Sequence, residues 1–318
     1  MKCLNIEELP PNQQSSVVYS GVLILCFWVA LVWLTASRLS AVDVGFTNSA
    51  GLVVVPVTIT DHTGEAVSGV KGSEFLVLDN GESRPVISFE RDQRPLSVVV
   101  VVDTSSRMGS DMGQVRLALR KFLASAGPLE ETALIAFSGK PHLVNDFTRD
   151  FEPLINKKLP SGRVAGDSAL NDVLLQALQV VRRGHNPRKA LVVIADGSNN
   201  HSRQVSELMN AVRDSDVQVY GVAIHYRPFS MQRFGSGLVQ SLAQESGGLS
   251  FEIRSPKDLP EMIKKIADAT NNLYRIGFNP SAVNDARRWH RTQVRLTDPN
   301  LGRLRINAKS AYRQSGLQ

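Results

Sequence analysis

Four oxygen-bearing side chains, Asp103, Ser105, Ser168 and Asp196, are the residues of this 318-residue chain whose types and placement could do chemistry. Asp103 follows the unbroken run Val98 to Val102, and Asp196 follows Ala190 to Ala195, so each carboxylate ends a stretch apolar enough for a strand buried on both faces. Ser105 stands two residues after Asp103, and Ser168 opens a helical pattern behind Gly166-Asp167. In an open α/β sheet the carboxyl ends of the strands are where ligands bind. Two carboxylates and two hydroxyls on separate loops at such an edge form the oxygen donor set of a hard cation, Mg2+ or Mn2+. For Asp103 alone the competing account is a turn or helix cap, where Asp is common. The repetition at Asp196 favours a site.

The elements that must position these groups lie on either side of them. After the valine strand, Met112 to Ala124 places Val115, Leu119, Phe122 and Leu123 at helical spacing. Thr132 to Phe137 and His142 to Phe147 read as two short strands joined by Ser138-Gly139-Lys140-Pro141, a hairpin-like link. Ser168 to Arg182 predicts a helix with Leu170, Val173, Leu174, Ala177, Leu178 and Val181 on one face. Strands at Ala190 to Ala195, Gln218 to Ile224 and Leu249 to Ile253 alternate with helices at Gln204 to Asp214, Gly237 to Glu245 and Pro256 to Asn271. This alternation predicts an α/β fold, a doubly wound and mostly parallel sheet with helices on both faces.

The flanks have a different pattern. Leu52 to Phe89 contains short alternating runs with turn signals, among them Asp79-Asn80-Gly81, the strongest two-residue hairpin signal. Some 45 residues cannot make a comfortable core alone. Leu273 to Phe278, Thr292 to Leu296 and Arg303 to Ala308 are again short and extended. The expectation is a small β-sandwich built from 46–94 and 272–318, with the α/β domain, 95–271, inserted between its halves.

At the amino end, a short tail, 1–16, precedes the uncharged 20-residue stretch 17–36, long enough to cross a bilayer as a helix and carrying Trp28 and Trp33. Lys2 is offset by Glu7 and Glu8, the run is long, and Ser40-Ala41 is a weak cleavage site, so an uncleaved transmembrane anchor is expected rather than a removed signal. The two cysteines, Cys3 and Cys26, both precede the globular region and provide neither a disulfide framework nor a zinc site there. Charge is uneven. From Arg275 onward nine Lys/Arg face two Asp, a net +7 in a chain of net +6.

The order Asp103-Thr104-Ser105-Ser106-Arg107-Met108, then Ser168, then Asp196-Gly197, resembles the metal-ion-dependent adhesion site of the von Willebrand factor type A domain, which reads Asp-x-Ser-x-Ser-Met, a later Thr, and Asp-Gly. The resemblance covers about Pro95 to Asn271 and implies metal ligation by Asp103, Ser105, Ser168 and Asp196. Met108 keeps the register, and Ser168 keeps the hydroxyl of the Thr. Arg107 replaces the second ligating Ser, and arginine has donors only. Its guanidinium either reaches Asp103 or Asp196 and stands in the cation's place, or points outward while water completes a weaker site. With Asp167 and Ser198 it is the expected contact for a partner. The runs Thr60 to Val70, Glu74-Phe75, Asp79 to Gly81 and Leu273 to Phe278 further resemble the flanks of the acidobacterial VWFA-related domain family. Together these imply an exported, membrane-anchored, non-catalytic binding module, periplasmic or extracellular, whose unknown protein partner offers an acidic side chain.

Rival classes fare less well. An aspartyl phosphotransferase needs a second carboxylate two residues on, or a nearby lysine, and Ser105 holds that place. Gly235-Ser236-Gly237 lacks the further Gly and the preceding strand of a phosphate-cradling loop. The six histidines are far apart in sequence, and each reads as a surface or loop residue. No nucleophile–base pair points to a hydrolase. Arg287, Arg288, Arg291 and Arg295 suggest nucleic acid, yet alternate residues of a strand face opposite sides. In an anchored protein an anionic lipid or acidic polymer fits them better than DNA, and no nucleic-acid partner is expected. A metal-independent scaffold remains the alternative if Arg107 fills the site.

Overall fold

The computed structural model describes residues 51–106, 108–138, 140–150, 170–196, 205–225, 233–281, 289–298 and 303–313. The chain divides into two compact units, Met1–Val44 and Gly45–Gln318, and every described residue lies in the second. The apolar stretch 17–36 therefore lies outside the described residues, among which no helix is long and apolar enough to cross a membrane.

Four strands come first: β1 (Val53–Thr60), β2 (Phe75–Asp79), β3 (Glu82–Arg84) and β4 (Ser88–Arg91). Asn80 at φ 51° and Gly81 at φ 88° form the tight turn between β2 and β3, as the Asn-Gly pair predicts. The α/β segment follows, with β5 (Leu96–Asp103), α1 (Met112–Leu123), β6 (Glu131–Phe137), β7 (Pro141–Thr148), α2 (Leu170–Arg182), β8 (Arg188–Ala195), α3 (Val205–Arg213), β9 (Val217–Ile224), α4 (Arg233–Ser246), β10 (Ser250–Ile253) and α5 (Leu259–Asn271). The chain then returns through β11 (Tyr274–Phe278), β12 (Trp289–Leu296), β13 (Arg305–Ala308) and β14 (Ala311–Arg313).

The central sheet has the order β10-β9-β8-β5-β6-β7. Five strands run parallel, while β7 is antiparallel to β6 with two register shifts, so the sheet is mixed. Every residue of β5 is buried because both sheet faces are covered. Val98, Val100 and Val102 pack with α1 and α5, and Val99 and Val101 with α2, α3 and α4. Consecutive β-branched residues suit such a strand, since both of its faces want apolar side chains.

The flanking strands form two further four-stranded sheets, β13-β1-β11-β4 and β14-β12-β2-β3, each drawing strands from both sides of the α/β segment. Val53, Val55, Val57, Ile59, Phe75, Val77, Ile276, Phe278 and Tyr312 fill the space between them. Polar ties join these sheets to the edge where the parallel strands begin. Arg188, at the start of β8, donates Nη1 to the carbonyls of Asp92 and Arg94 and Nη2 to that of Thr270 at the end of α5. Thr58 Oγ1 donates to the Gly247 carbonyl at 2.8 Å, and Lys309 Nζ to that of Ser215 at 2.6 Å. The edge where the parallel strands end is the opposite one.

One expectation fails here. His290 was expected at the surface, but it is 1% exposed, because it lies on the inward side of β12 with Thr292, Val294 and Leu296.

Candidate functional site

β5 and β8 are parallel neighbours with Val102 opposite Ile194, so Asp103 and Asp196 leave adjacent strands at the same edge. Both are 3% exposed. The loop after β5 is shaped by its own polar groups. The Ser105 N–H donates to Asp103 Oδ1 at 2.8 Å, an Asp-led turn that points the carboxylate back toward the edge. Thr104 anchors the loop to β6, its N–H and hydroxyl donating to the Phe137 carbonyl at 2.7 and 3.1 Å. The Met108 N–H donates to the Ser105 carbonyl at 2.9 Å, and the Met108 side chain enters the core fully buried. That is the physical reason for a methionine in this register.

The Asp196 N–H faces Asp103 Oδ2 at 3.5 Å, long for a hydrogen bond and a measure of how close the two strand ends come. Burial, and next the neighbouring Asp196 charge, push the Asp103 carboxyl up to about 6; the Ser105 N–H opposes the shift. Ser105 Oγ is buried and lies near enough to Asp103 to favour its ionised form, yet it makes no bond of hydrogen-bond geometry. Two carboxylates buried side by side and a buried hydroxyl with an unused lone pair fit a hard cation in donor type and charge. Among the described residues no three His, Cys, Asp or Glu side chains come together. Ser168, Arg107, Asp167 and Ser198 lie outside the described residues, so the structure brings together Asp103, Ser105 and Asp196 alone of the expected set.

Two other clusters join a hydroxyl, a carboxylate and an imidazole, and both escaped the sequence reading. Asp79 accepts from the Ser281 N–H and Oγ at 2.8 and 2.7 Å, from the Tyr312 hydroxyl at 3.1 Å and from His290 Nδ1 at 3.2 Å. Glu131 accepts from Ser97 Oγ at 2.7 Å and faces His185 Nδ1 at 3.0 Å. Around Glu131 the carboxylate sits between hydroxyl and imidazole, and around Asp79 both the carboxylate and the Tyr312 hydroxyl, the latter at 3.1 Å, meet the same ring nitrogen, His290 Nδ1, so the imidazole bridges neither pair through its two nitrogens. A relay that activates a nucleophile needs the imidazole in the middle, so neither has the geometry of a hydrolase triad. The alternation of β2 and β12, which sets Asp79 beside Phe75 and Val77 and His290 beside Thr292 and Val294, is the signal that could have found the first cluster.

The profile of the von Willebrand factor type A domain family matches residues 97–265, a little over half of the chain. A stretch of 213 residues is 22% identical to inter-alpha-trypsin inhibitor heavy chain H4 of Sus scrofa, covering 60% of this chain and 22% of that one. The chain thus spans about a fifth of the length of that curated relative. Among solved structures, a von Willebrand factor type A protein from Catenulispora acidiphila is similar with a TM-score of 0.48 and 11% identity over 84% of this chain and 74% of that one. The von Willebrand factor domain of the type V pili tip protein Mfa5 from Porphyromonas gingivalis gives 0.45 and 14%, over 56% and 95%.

Proposed function

Because the chain belongs to the von Willebrand factor type A domain family, we propose that it is a non-catalytic protein-binding module whose recognition surface is the edge bearing Asp103, Ser105 and Asp196. The observation that carries the proposal is the pair of buried carboxylates beside a buried, unbonded Ser105 hydroxyl. Nothing in the packing of β5 and β8 requires ionisable groups there, and carboxylates gathered at one edge beside a buried hydroxyl match the donor type that a hard cation takes.

Asp103, Asp196 and Ser105 would hold the cation, with Ser168 completing the protein's share. The cation supplies a site of positive charge to which a partner carboxylate can bind. Met108 and Thr104 hold the loop so that Asp103 and Ser105 stay aimed at the edge. Arg107 offers a metal-free version in which its guanidinium meets the partner carboxylate directly. The apolar stretch 17–36 supports a membrane-anchored chain with this edge outside the cytoplasm, and the strand pairing supports 46–94 and 272–318 as one β unit that carries the domain 95–271.

The test is calorimetric titration of Gly45–Gln318 with Mg2+ and with Mn2+, beside Asp103→Ala and Arg107→Ser. Binding by the parent that Asp103→Ala abolishes supports the metal-bridged reading. Binding that emerges only in Arg107→Ser moves recognition to the guanidinium. No binding by parent or by Arg107→Ser, with partner capture unchanged in Asp103→Ala, would remove this edge from the function altogether.

A further inference from the structure

We propose that the outward face of the sheet β14-β12-β2-β3 binds an anionic lipid bilayer. This surface is separate from the edge at Asp103, and the proposal does not depend on what that edge binds. Along β12 burial alternates, with His290 and Thr292 buried and Val294 and Leu296 packed on the sandwich core, while Arg291, Gln293 and Arg295 are exposed on the other side. The register sets Gln293 opposite Leu78 and Arg295 opposite Leu76. Leu76 and Leu78 are half-buried and take no part in the core that Phe75 and Val77 fill. The outward face is therefore a strip in which guanidinium groups flank aliphatic side chains.

Among the described residues no carboxylate pairs with Arg291 or Arg295, and Arg295 Nη2 donates to Gln293 Oε1 at 2.9 Å. Arg313, on neighbouring β14, is shared with Asp214 at 3.2 Å, and exposed Arg303 and Arg305 follow β12 in the chain. Arg275 and Arg305 lie on the other flanking sheet, Arg275 paired with Glu90, and Lys309 is buried, so the unpaired positive charge of this face rests on Arg291 and Arg295.

Arginines beside aliphatic groups suit a lipid surface, since the heads can meet phosphates while stems and leucines rest at the acyl boundary. A nucleic acid is served less well. The one large aromatic of β12, Trp289, lies beneath Arg213 and Arg313, at 5.3 and 4.5 Å, and cannot act as a stacking platform. The apolar stretch 17–36 precedes β1 by 16 residues, a link that reaches about 55 Å when extended.

The test is co-sedimentation of Gly45–Gln318, which lacks the apolar stretch, with vesicles of phosphatidylcholine alone or mixed with phosphatidylglycerol. Binding is expected only to the mixed vesicles and should weaken with salt. Losing each arginine should lower partitioning about fivefold, so Arg291→Gln/Arg295→Gln should lose about 25-fold. Reversing charge with Arg291→Glu/Arg295→Glu should lose more. Arg116→Gln/Lys121→Gln, the same charge change on the exposed side of α1, should leave binding unaltered. The proposal is overturned if the parent ignores phosphatidylglycerol, if the α1 variant loses as much, or if duplex DNA binds as tightly and through the same two arginines.

Discussion

Asp103 is where folding and binding make opposite demands on one side chain. Its folded pKa, about 6, lies above the ordinary carboxylate value of 3.8. A carboxyl shifted in that direction favours the fold while protonated, so its contribution is complete below about pH 4 and is lost as pH rises through about 6. The shift corresponds to roughly 3 kcal/mol of lost stability at pH 8. Asp103→Asn keeps the shape and cannot ionise. Metal-free, it should be more stable than the parent in urea at pH 8, by roughly 2–3 kcal/mol, and close to it at pH 4. An Asn variant no more stable at pH 8 would mean that the Asp103 charge is already neutralised within the protein. Ser105 supplies the complementary case. Its buried Oγ makes no hydrogen bond, so Ser105→Ala should change metal-free stability by less than about 1 kcal/mol while weakening Mg2+ binding in calorimetry. A purely structural serine would reverse that ranking.

At the scale of elements, legibility followed how many faces of a strand are buried. The valines of β5 read as a two-sided buried strand, and every residue of it is buried. Asn80-Gly81 read as a hairpin because only a few residues adopt positive φ, and both do. β12 was harder, since the two arginines within Trp289 to Leu296, Arg291 and Arg295, and the expectation of surface histidines gave no sign of a buried face. Those arginines occupy only alternate positions. The others, His290, Thr292, Val294 and Leu296, face inward, and β2 answers them with Phe75, Val77 and Asp79. A buried histidine is invisible to spacing rules because its partners, Asp79 and Tyr312, lie far from it or on another strand. Its removal should be costly. His290→Ala takes one bond from a fully buried carboxylate and opens a void between the sheets, so a loss of roughly 2–4 kcal/mol is expected. The exposed His62→Ala, compared in the same urea titration, should lie within about 0.5 kcal/mol of the parent.

For the whole molecule the question is why an α/β domain with its own two-sided core is tied to a second set of sheets. The alternation of strands and helices made the central fold legible, and the shortness of the first β stretch required strands from the far end. Neither indicated where the two parts would meet. The meeting place is the edge away from Asp103, and it is made of groups that sequence patterns do not rank. Arg188 is 6% exposed and holds the incoming chain at Asp92 and Arg94 together with the end of α5 at Thr270. Lys309 is 5% exposed against the carbonyl of Ser215, and Lys265, 7% exposed, reaches the Thr63 carbonyl at 2.9 Å. Excising Pro95–Asn271 would free Arg188 from two of these carbonyls and bare the α5 and β10 surfaces on which the Asp61–Gly64 turn rests through Phe251. The excised domain should therefore unfold at lower urea than Gly45–Gln318, by several kcal/mol, even though its core is intact. Arg188→Met, in the longer chain, should lower stability by about 2–4 kcal/mol, since three backbone carbonyls lose a shared charged donor. Mg2+ affinity should stay unaltered in that variant, because Arg188 sits at the opposite end of β8 from Asp196. Equal stability of the excised and longer chains would mean that the flanking sheets are carried by the domain rather than built into its fold.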